Sequence, residues 1–108
     1  MHMKLSTKQF DIGDKTYTLK LSTAASRIAK MKHDRVVDMA EMEQDPLGMQ
    51  ATLVWLAMLP YHPEITEEDA MLMLARAENE AEITSWVTKE FMSFMEEMGK
   101  QMSPQEGA

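Results

Sequence analysis

Residues 45–59 have the sequence DPLGMQATLVWLAML, which contains the most apolar segment of the chain. Asp45 followed by Pro46 is typical of a helix start, because aspartate caps free backbone amides and proline suits the first helical turn. Apolar residues then occupy nearly every side of the helix, which predicts burial all round rather than on one face. Pro60 ends the segment, since proline cannot continue a helix. The sequence therefore predicts a central, buried helix over 46–59.

Before this helix, residues 8–21 alternate between apolar and polar side chains, as strands do. Gly13-Asp14 separates the two alternating runs and is typical of a tight turn, because glycine accepts a positive φ. The pattern predicts a β-hairpin whose apolar side rests on helices, since an isolated two-stranded ribbon is marginal in water. The apolar positions are Phe10, Ile12, Tyr17, Leu19 and Leu21.

Two helices are predicted between the hairpin and the central helix. Ser22 offers an N-cap hydroxyl, and apolar residues at helical spacing then give a first helix over 22–32. The polar residues 32–35 mark a bend. A short second helix over 35–43 follows, and its inward-facing residues are predicted to be Val36, Met39, Ala40 and Met42.

Two more helices are predicted after the central one. Thr66-Glu67-Glu68-Asp69 has the spacing of a capping box, so it opens a fourth helix over 66–79 with acidic residues in its first turn. The fifth helix covers 81–98, and Gly99 is predicted to end it. Its apolar stripe consists of Ile83, Trp86, Val87, Phe91, Phe94, Met95 and Met98.

These elements predict a fold class of α+β, mostly α: an N-terminal β-hairpin followed by a bundle of four to five helices. A chain of 108 residues is expected to form a single domain, which we place at residues 1–98. Residues 99–108 hold few apolar groups, so we expect a flexible tail there.

The composition restricts the class of protein further. An apolar share of 44% with 27% charged residues is typical of a globular protein. No apolar run reaches the roughly 20 residues that cross a bilayer, and no signal peptide is evident, so we expect a cytoplasmic protein without a membrane partner. The absence of cysteine excludes disulfides, thiol catalysis and thiolate metal sites.

The net charge of −7 is unevenly distributed along the chain. Residues 1–35 hold eight basic and three acidic residues, for +5, whereas residues 36–108 hold three basic and fifteen acidic residues, for −12. This asymmetry favours a partner of complementary charge or a head-to-tail homo-oligomer; the alternative is two solvated faces of one domain. The negative net charge and the lack of a recognised motif argue against nucleic acid as a partner.

Groups of residues suited to catalysis are nearly absent. His33-Asp34 could orient a general base, but no nucleophile accompanies it, and His62 lies in a proline turn. We interpret both histidines as surface loop residues. The scattered glycines do not form a phosphate-binding loop. The sequence therefore predicts no enzymatic activity, no catalytic residues and no cofactor.

The thirteen methionines are the most unusual feature of the sequence. Met71 and Met73 lie about 200° apart around a helix, so they cannot both face one core. Methionine repacks against different surfaces at little cost, which suits an adaptable binding surface; gap-filling in a loosely specified core is the alternative. The candidate partner-binding residues are Met71, Met73, Met92, Phe94, Met95 and Met98.

The thioethers of Met92, Met95, Met98 and Met102 also form a ladder that could hold Cu(I). Phe94 lies on the same stripe, and aromatic neighbours favour packing over metal binding. We therefore predict no metal site and keep Cu(I) binding as a less favoured alternative.

The order of these features resembles the small tail assembly chaperones of long-tailed (siphovirus-type) bacteriophages and prophages. The resemblance covers residues 8–98. It rests on the hairpin FDIGDKTYTL at 10–19, on Leu21-Ser22 leading into a helix, on the Leu/Ala-rich helix that ends at Leu59-Pro60, and on TEEDA at 66–70.

The resemblance implies a non-enzymatic protein that binds the tape measure protein and helps to deliver the tail tube protein. Such a protein acts in the cytoplasm of the bacterial host and is absent from the mature virion. Met98-Gly99-Lys100 is also compatible with the slippery codons at which genes of this family shift reading frame. A generic bacterial helical adaptor or regulatory protein is the alternative function.

Overall fold

The structure is a computed structural model that describes residues 7–102. Within this range it confirms the α+β, mostly α, fold class: one antiparallel hairpin followed by five helices. The elements are β1 (Thr7–Ile12), β2 (Lys15–Lys20), α1 (Ala25–His33), α2 (Met39–Gln44), α3 (Pro46–Met58), α4 (Glu67–Arg76) and α5 (Glu80–Met102).

The hairpin forms where the alternating pattern predicts it. Phe10 of β1 pairs with Tyr17 of β2, and Gly13 has a φ of 68° in the turn between the strands. The apolar side of the hairpin packs against the helices, where the ring of Phe10 meets Trp86 of α5 edge-on at 5.9 Å between centroids. The helices thus supply the support that a lone ribbon needs.

Helix α3 lies at the centre of the fold and contacts β2 and the four other helices. Every residue from Thr52 to Leu59 is buried, as the all-round apolar pattern predicts. The start of the helix is also confirmed, because the Asp45 carboxylate accepts a hydrogen bond from the backbone N–H of Gly48 at 3.0 Å. Burial of this continuous apolar segment organises the core.

The start of α1 differs from the prediction. Ser22 is not its N-cap: the helix begins at Ala25, and the preceding Ala24 makes no side-chain capping bond. The Ser22 hydroxyl instead accepts a hydrogen bond from the Ala24 backbone N–H at 3.1 Å. Serine closes such local turns as readily as it caps helices, which is why the sequence pattern placed the helix start three residues early.

The second helix also differs, because residues 35–38 are not helical. Helix α2 starts only at Met39, after Asp38 has accepted a hydrogen bond from the Glu41 backbone N–H at 3.1 Å. The inward orientation predicted for Val36 and Ala40 is therefore wrong, since both are exposed.

Of the other two residues predicted to face inward there, Met42 packs half-buried against the core, as expected. The side chain of Met39 lies outside the described part of the structure.

Helix α4 begins as the capping box predicts, with the Thr66 hydroxyl accepting a hydrogen bond from the Asp69 backbone N–H at 3.0 Å. It ends at Arg76, three residues before the predicted end.

Helix α5 is longer than predicted. Gly99 does not stop it, and residues 99–102 are helical rather than part of a flexible tail. A glycine inside a helix costs only about 1 kcal/mol, and the good helix formers that follow offset this. Residues 103–108 of the predicted tail lie outside the described part. No helix within residues 7–102 is both long and apolar enough to span a bilayer.

Candidate partner-binding groove

An apolar groove of about 230 Å³ lies between α5 and the segments that precede α1 and α2. Leu53 and Leu56 of the central helix form its floor. Apolar side chains dominate its walls, so contact with water is unfavourable and an apolar ligand group would release that water. The principal wall residues are Leu21, Val37, Met42, Phe91, Phe94 and Met95.

One wall of the groove is the aromatic face of α5. Phe91 and Phe94 lie three residues apart, and their rings stack at 6.5 Å between centroids with 27° between their planes. Both rings are half-buried against the core, while Met95 beside them is 38% exposed. This wall therefore combines fixed rings with one adaptable thioether.

The opposite wall is formed by Val37 and Met42. Residues 35–38 are not helical, so the side chains of Val36 and Val37 do not follow a helical phase. Val36 is 61% exposed, whereas Val37 points inward and packs against the core. The sequence prediction missed Val37 because a helical phase through this segment selects Val36 instead.

A cluster of charged residues holds this second wall in place. Arg35 Nε donates to Glu67 Oε1 of α4 at 2.8 Å, and its two terminal nitrogens donate to the carboxylate of Glu41 in α2 at 2.8 and 2.9 Å. The Thr52 hydroxyl of α3 donates to Glu67 Oε2 at 2.8 Å. The non-helical segment that contains Arg35 is thereby tied to three helices. Paired hydrogen bonds of this kind fix the orientation of a guanidinium group.

The protonation states in the cluster favour its charged form. The hydrogen bond from Arg35 holds the pKa of Glu67 below its usual value, against the opposing effect of burial, and the Thr52 hydroxyl adds to the lowering. The hydrogen bonds to Glu41 and Glu67 raise the pKa of Arg35. The ion pairs therefore remain formed at neutral pH.

The structure brings together part of the predicted binding set. Phe94 and Met95 line the groove, and Met92 lies beside it, in a shallow depression shared with Met95 and Phe91. Met92 is 65% exposed. The groove and this depression form one continuous surface along α5, which we call the α5 surface. Met98 lies further along the same helix, but its side chain is outside the described part.

The structure places the two α4 methionines elsewhere. Met71 is 41% exposed and lines a separate depression beside Arg35 and Glu67. Met73 is half-buried and packs against the core. The two side chains thus point in different directions, as their spacing requires, and neither lines the groove.

His33 and His62 each contact a backbone group of another element. This differs from the interpretation of both as surface loop residues. His33 is the last residue of α1, and its Nε2 lies 2.8 Å from the Pro63 carbonyl oxygen. Its ring meets Trp55 edge-on at 5.4 Å. His62 Nε2 accepts a hydrogen bond from the Thr18 backbone N–H at 3.1 Å. Both rings are half-buried and connect separate elements.

Among residues 7–102, no group of three or more His, Asp or Glu side chains is arranged to hold a metal ion. Of the methionine ladder considered for Cu(I), the structure describes only the side chains of Met92 and Met95, both on α5. The Cu(I) alternative stays a prediction.

No family model, curated protein or solved structure matches the chain.

Proposed function

We propose that the chain is a non-enzymatic tail assembly chaperone of a long-tailed phage or prophage. In this role it binds the tape measure protein, assists tail tube assembly in the host cytoplasm and leaves before the virion is complete. The observation that supports the proposal most directly is the apolar groove on the α5 surface, because a chaperone for an aggregation-prone partner must offer apolar contacts that the folded chain does not use itself.

The side chains of this surface suit a partner with many different apolar stretches. Met92 and Met95 are unbranched and can change rotamer to fit different neighbours. Phe94 lines the groove with Met95, packs against the core and gives a fixed wall for those contacts. A surface of this kind is less selective for the shape of its ligand and binds a wider range of apolar segments, as in promiscuous helix-binding proteins.

Co-expression with the tape measure protein of the same phage or prophage tests the proposal. We expect the chaperone to keep that protein in the soluble fraction. The double variant Met92→Glu/Met95→Glu should lose this effect, because two carboxylates would have to be buried against apolar partner groups. Both positions are exposed, so the variant is expected to fold, which circular dichroism can check.

Met31→Glu is the matched control. Met31 is 76% exposed on α1 and does not line the groove, so the same substitution there should leave the soluble yield unchanged. Equal loss of yield with both variants would show that the α5 surface is not the binding site. Failure of the parent chain to solubilise the tape measure protein would contradict the function itself.

A pull-down with the tail tube protein tests the second half of the proposal. We expect the complex of chaperone and tape measure protein to retain tail tube subunits that neither protein retains alone. Retention of an unrelated bacterial protein instead, with no effect on either tail protein, would favour the adaptor function.

A further inference from the structure

We infer that the ligand of the groove is an amphipathic helix whose apolar stripe is flanked by lysine or arginine residues. This rests on the proposed function in that it takes the α5 surface as the binding site, and it adds the chemistry of the segment that is recognised.

The backbone around the groove favours a helical ligand. Most of its lining belongs to α1, α2, α3 and α5, whose main-chain groups are bonded within those helices, and the rest comes from the non-helical residues 21–23 and 37–38. An extended peptide needs an exposed strand edge to satisfy its own amides and carbonyls, and no such edge lines the groove within residues 7–102. A helix satisfies its own backbone and presents only side chains.

The volume of the groove limits the size of the ligand side chain that it can hold. An apolar cavity of roughly 150 Å³ holds a benzene ring, so a volume of about 230 Å³ admits one aromatic or large aliphatic group with room for adjustment. The exposed thioether of Met92 continues the apolar surface along α5. A ligand helix would therefore place one large side chain in the groove and a second, one turn away, against Met92.

The charged residues of the α5 surface determine which charge is favoured beside the apolar stripe of the ligand helix. Asp38 lines the groove and Glu96 lines the depression beside it, and no lysine or arginine lines either within the described residues. Neither carboxylate forms an ion pair with any side chain that the structure describes. Carboxylates without a neighbouring cation around an apolar groove attract cationic flanks and disfavour acidic ones.

A second copy of this chain is a weaker candidate for the ligand. The basic helix α1 exposes one large apolar side chain, Met31, beside Arg27 and Lys30. Filling both the groove and the depression takes two large side chains on one helix face. Helix α1 therefore does not match the groove, and α5, which exposes Met92 and Met95 one turn apart, carries Glu96 beside them and would bring like charges together.

Designed peptides test the inference without the tape measure protein. Each has about 18 residues, roughly five helical turns, and the same leucine stripe, with Lys, Gln or Glu on the flanking positions. A fourth peptide carries the Lys flanks and two central prolines that break the helix. Binding to the full-length chain is measured by calorimetry at low and high salt.

We expect the Lys peptide to bind at least about tenfold more tightly than the Glu peptide, with the difference shrinking at high salt. The double variant Asp38→Asn/Glu96→Gln should weaken Lys-peptide binding by about three- to tenfold and leave Gln-peptide binding unchanged. Asparagine caps a helix as well as aspartate does, so Asp38→Asn preserves the start of α2.

Equal affinity for the Lys and Glu peptides would overturn the charge preference, and tight binding of the proline peptide would overturn the helical ligand. If no peptide binds while the chain still keeps the tape measure protein soluble, the inferred ligand is wrong and the proposed function stands. Concentration-dependent self-association that both Met31→Glu and Met92→Glu/Met95→Glu abolish would identify a second copy as the ligand and overturn the inference.

Discussion

His62 Nε2 accepts a hydrogen bond from the backbone N–H of Thr18 at 3.1 Å, and this bond joins the α3–α4 connection to the outer edge of β2. The imidazole ring also meets Tyr17 edge-on, with 5.1 Å between ring centroids. A ring nitrogen accepts a hydrogen bond only while it is unprotonated, so the contact requires neutral His62. Burial lowers the pKa of His62 from its usual value of 6.5, which favours the same form.

This contact predicts a loss of stability in mild acid. Since the pKa of His62 is lower in the folded state, the unfolded chain binds more protons below about pH 6.5, and stability falls as the pH drops through the folded-state value. His62→Ala should lower the free energy of unfolding by about 0.5–1.5 kcal/mol at pH 7.5, as expected for one lost hydrogen bond. The difference in the free energy of unfolding between His62→Ala and the parent chain should be smaller at pH 5.5 than at pH 7.5. Urea unfolding at both pH values measures this, and a parallel loss in the two proteins would contradict the assignment to His62.

The Arg35 cluster predicts a strong mutational effect on stability. Arg35→Ala leaves the carboxylates of Glu41 and Glu67 half-buried without their cation, and we expect a loss of about 1–3 kcal/mol in the free energy of unfolding. Because Arg35 holds the pKa of Glu67 below its usual value of 4.5, the loss should shrink as the pH falls below about 4.5.

Lys32→Ala is the control for Arg35→Ala. It removes the ion pair with Glu64, whose carboxylate side chain is 80% exposed, and exposed pairs of this kind contribute about 0–1 kcal/mol. Urea unfolding of both variants at pH 7 compares them directly. Equal effects would show that the Arg35 cluster contributes no more than a surface pair.

Substitution by alanine is expected to have opposite effects on helix stability at two helical glycines. Gly99 lies in α5, and a Cβ added there meets no atom within 4 Å, so Gly99→Ala should stabilise that end of the helix by about 0.5–1 kcal/mol. A Cβ added at Gly48 overlaps the Asp45 carboxylate, which caps α3 through the Gly48 N–H. Gly48→Ala should therefore displace the cap and cost about 1 kcal/mol.

Hydrogen exchange of the amides next to each glycine measures these effects locally. Slower exchange near Gly99 and faster exchange near Gly48 are expected. Slower exchange at both sites would mean that the Asp45 side chain moves aside without loss of its capping bond.

The sequence predicts the parts of this fold that depend on local patterns. The alternation in the hairpin, the apolar residues of α3 and the caps at Asp45 and Thr66 depend on neighbouring residues, and the structure has them where the patterns indicate. Residues 35–38 depend on distant partners instead. Arg35 in this non-helical segment donates hydrogen bonds to Glu67, 32 residues away, and no local pattern contains that information.

The α5 surface is predictable only in part for the same reason. Helical spacing places Met95 next to both Phe91 and Met92, and Phe94 next to Phe91, and the structure has these residues in the groove and the adjoining depression. The opposite wall includes Val37, whose inward orientation depends on a backbone that is not helical there. Which apolar residues enclose a groove thus depends on packing between elements distant in sequence.

Mild oxidation with hydrogen peroxide separates the exposed methionines from the buried ones. Thioethers oxidise when peroxide reaches them, so Met31 and Met92, at 76% and 65% exposure, should form sulfoxide well before Met58, which is fully buried. Mass spectrometry of peptides from the treated protein gives the rate at each position. When the tape measure protein is bound, oxidation of Met92 should slow while that of Met31 stays the same, because only the former lies on the α5 surface. Protection of Met31 instead would place the bound partner on α1.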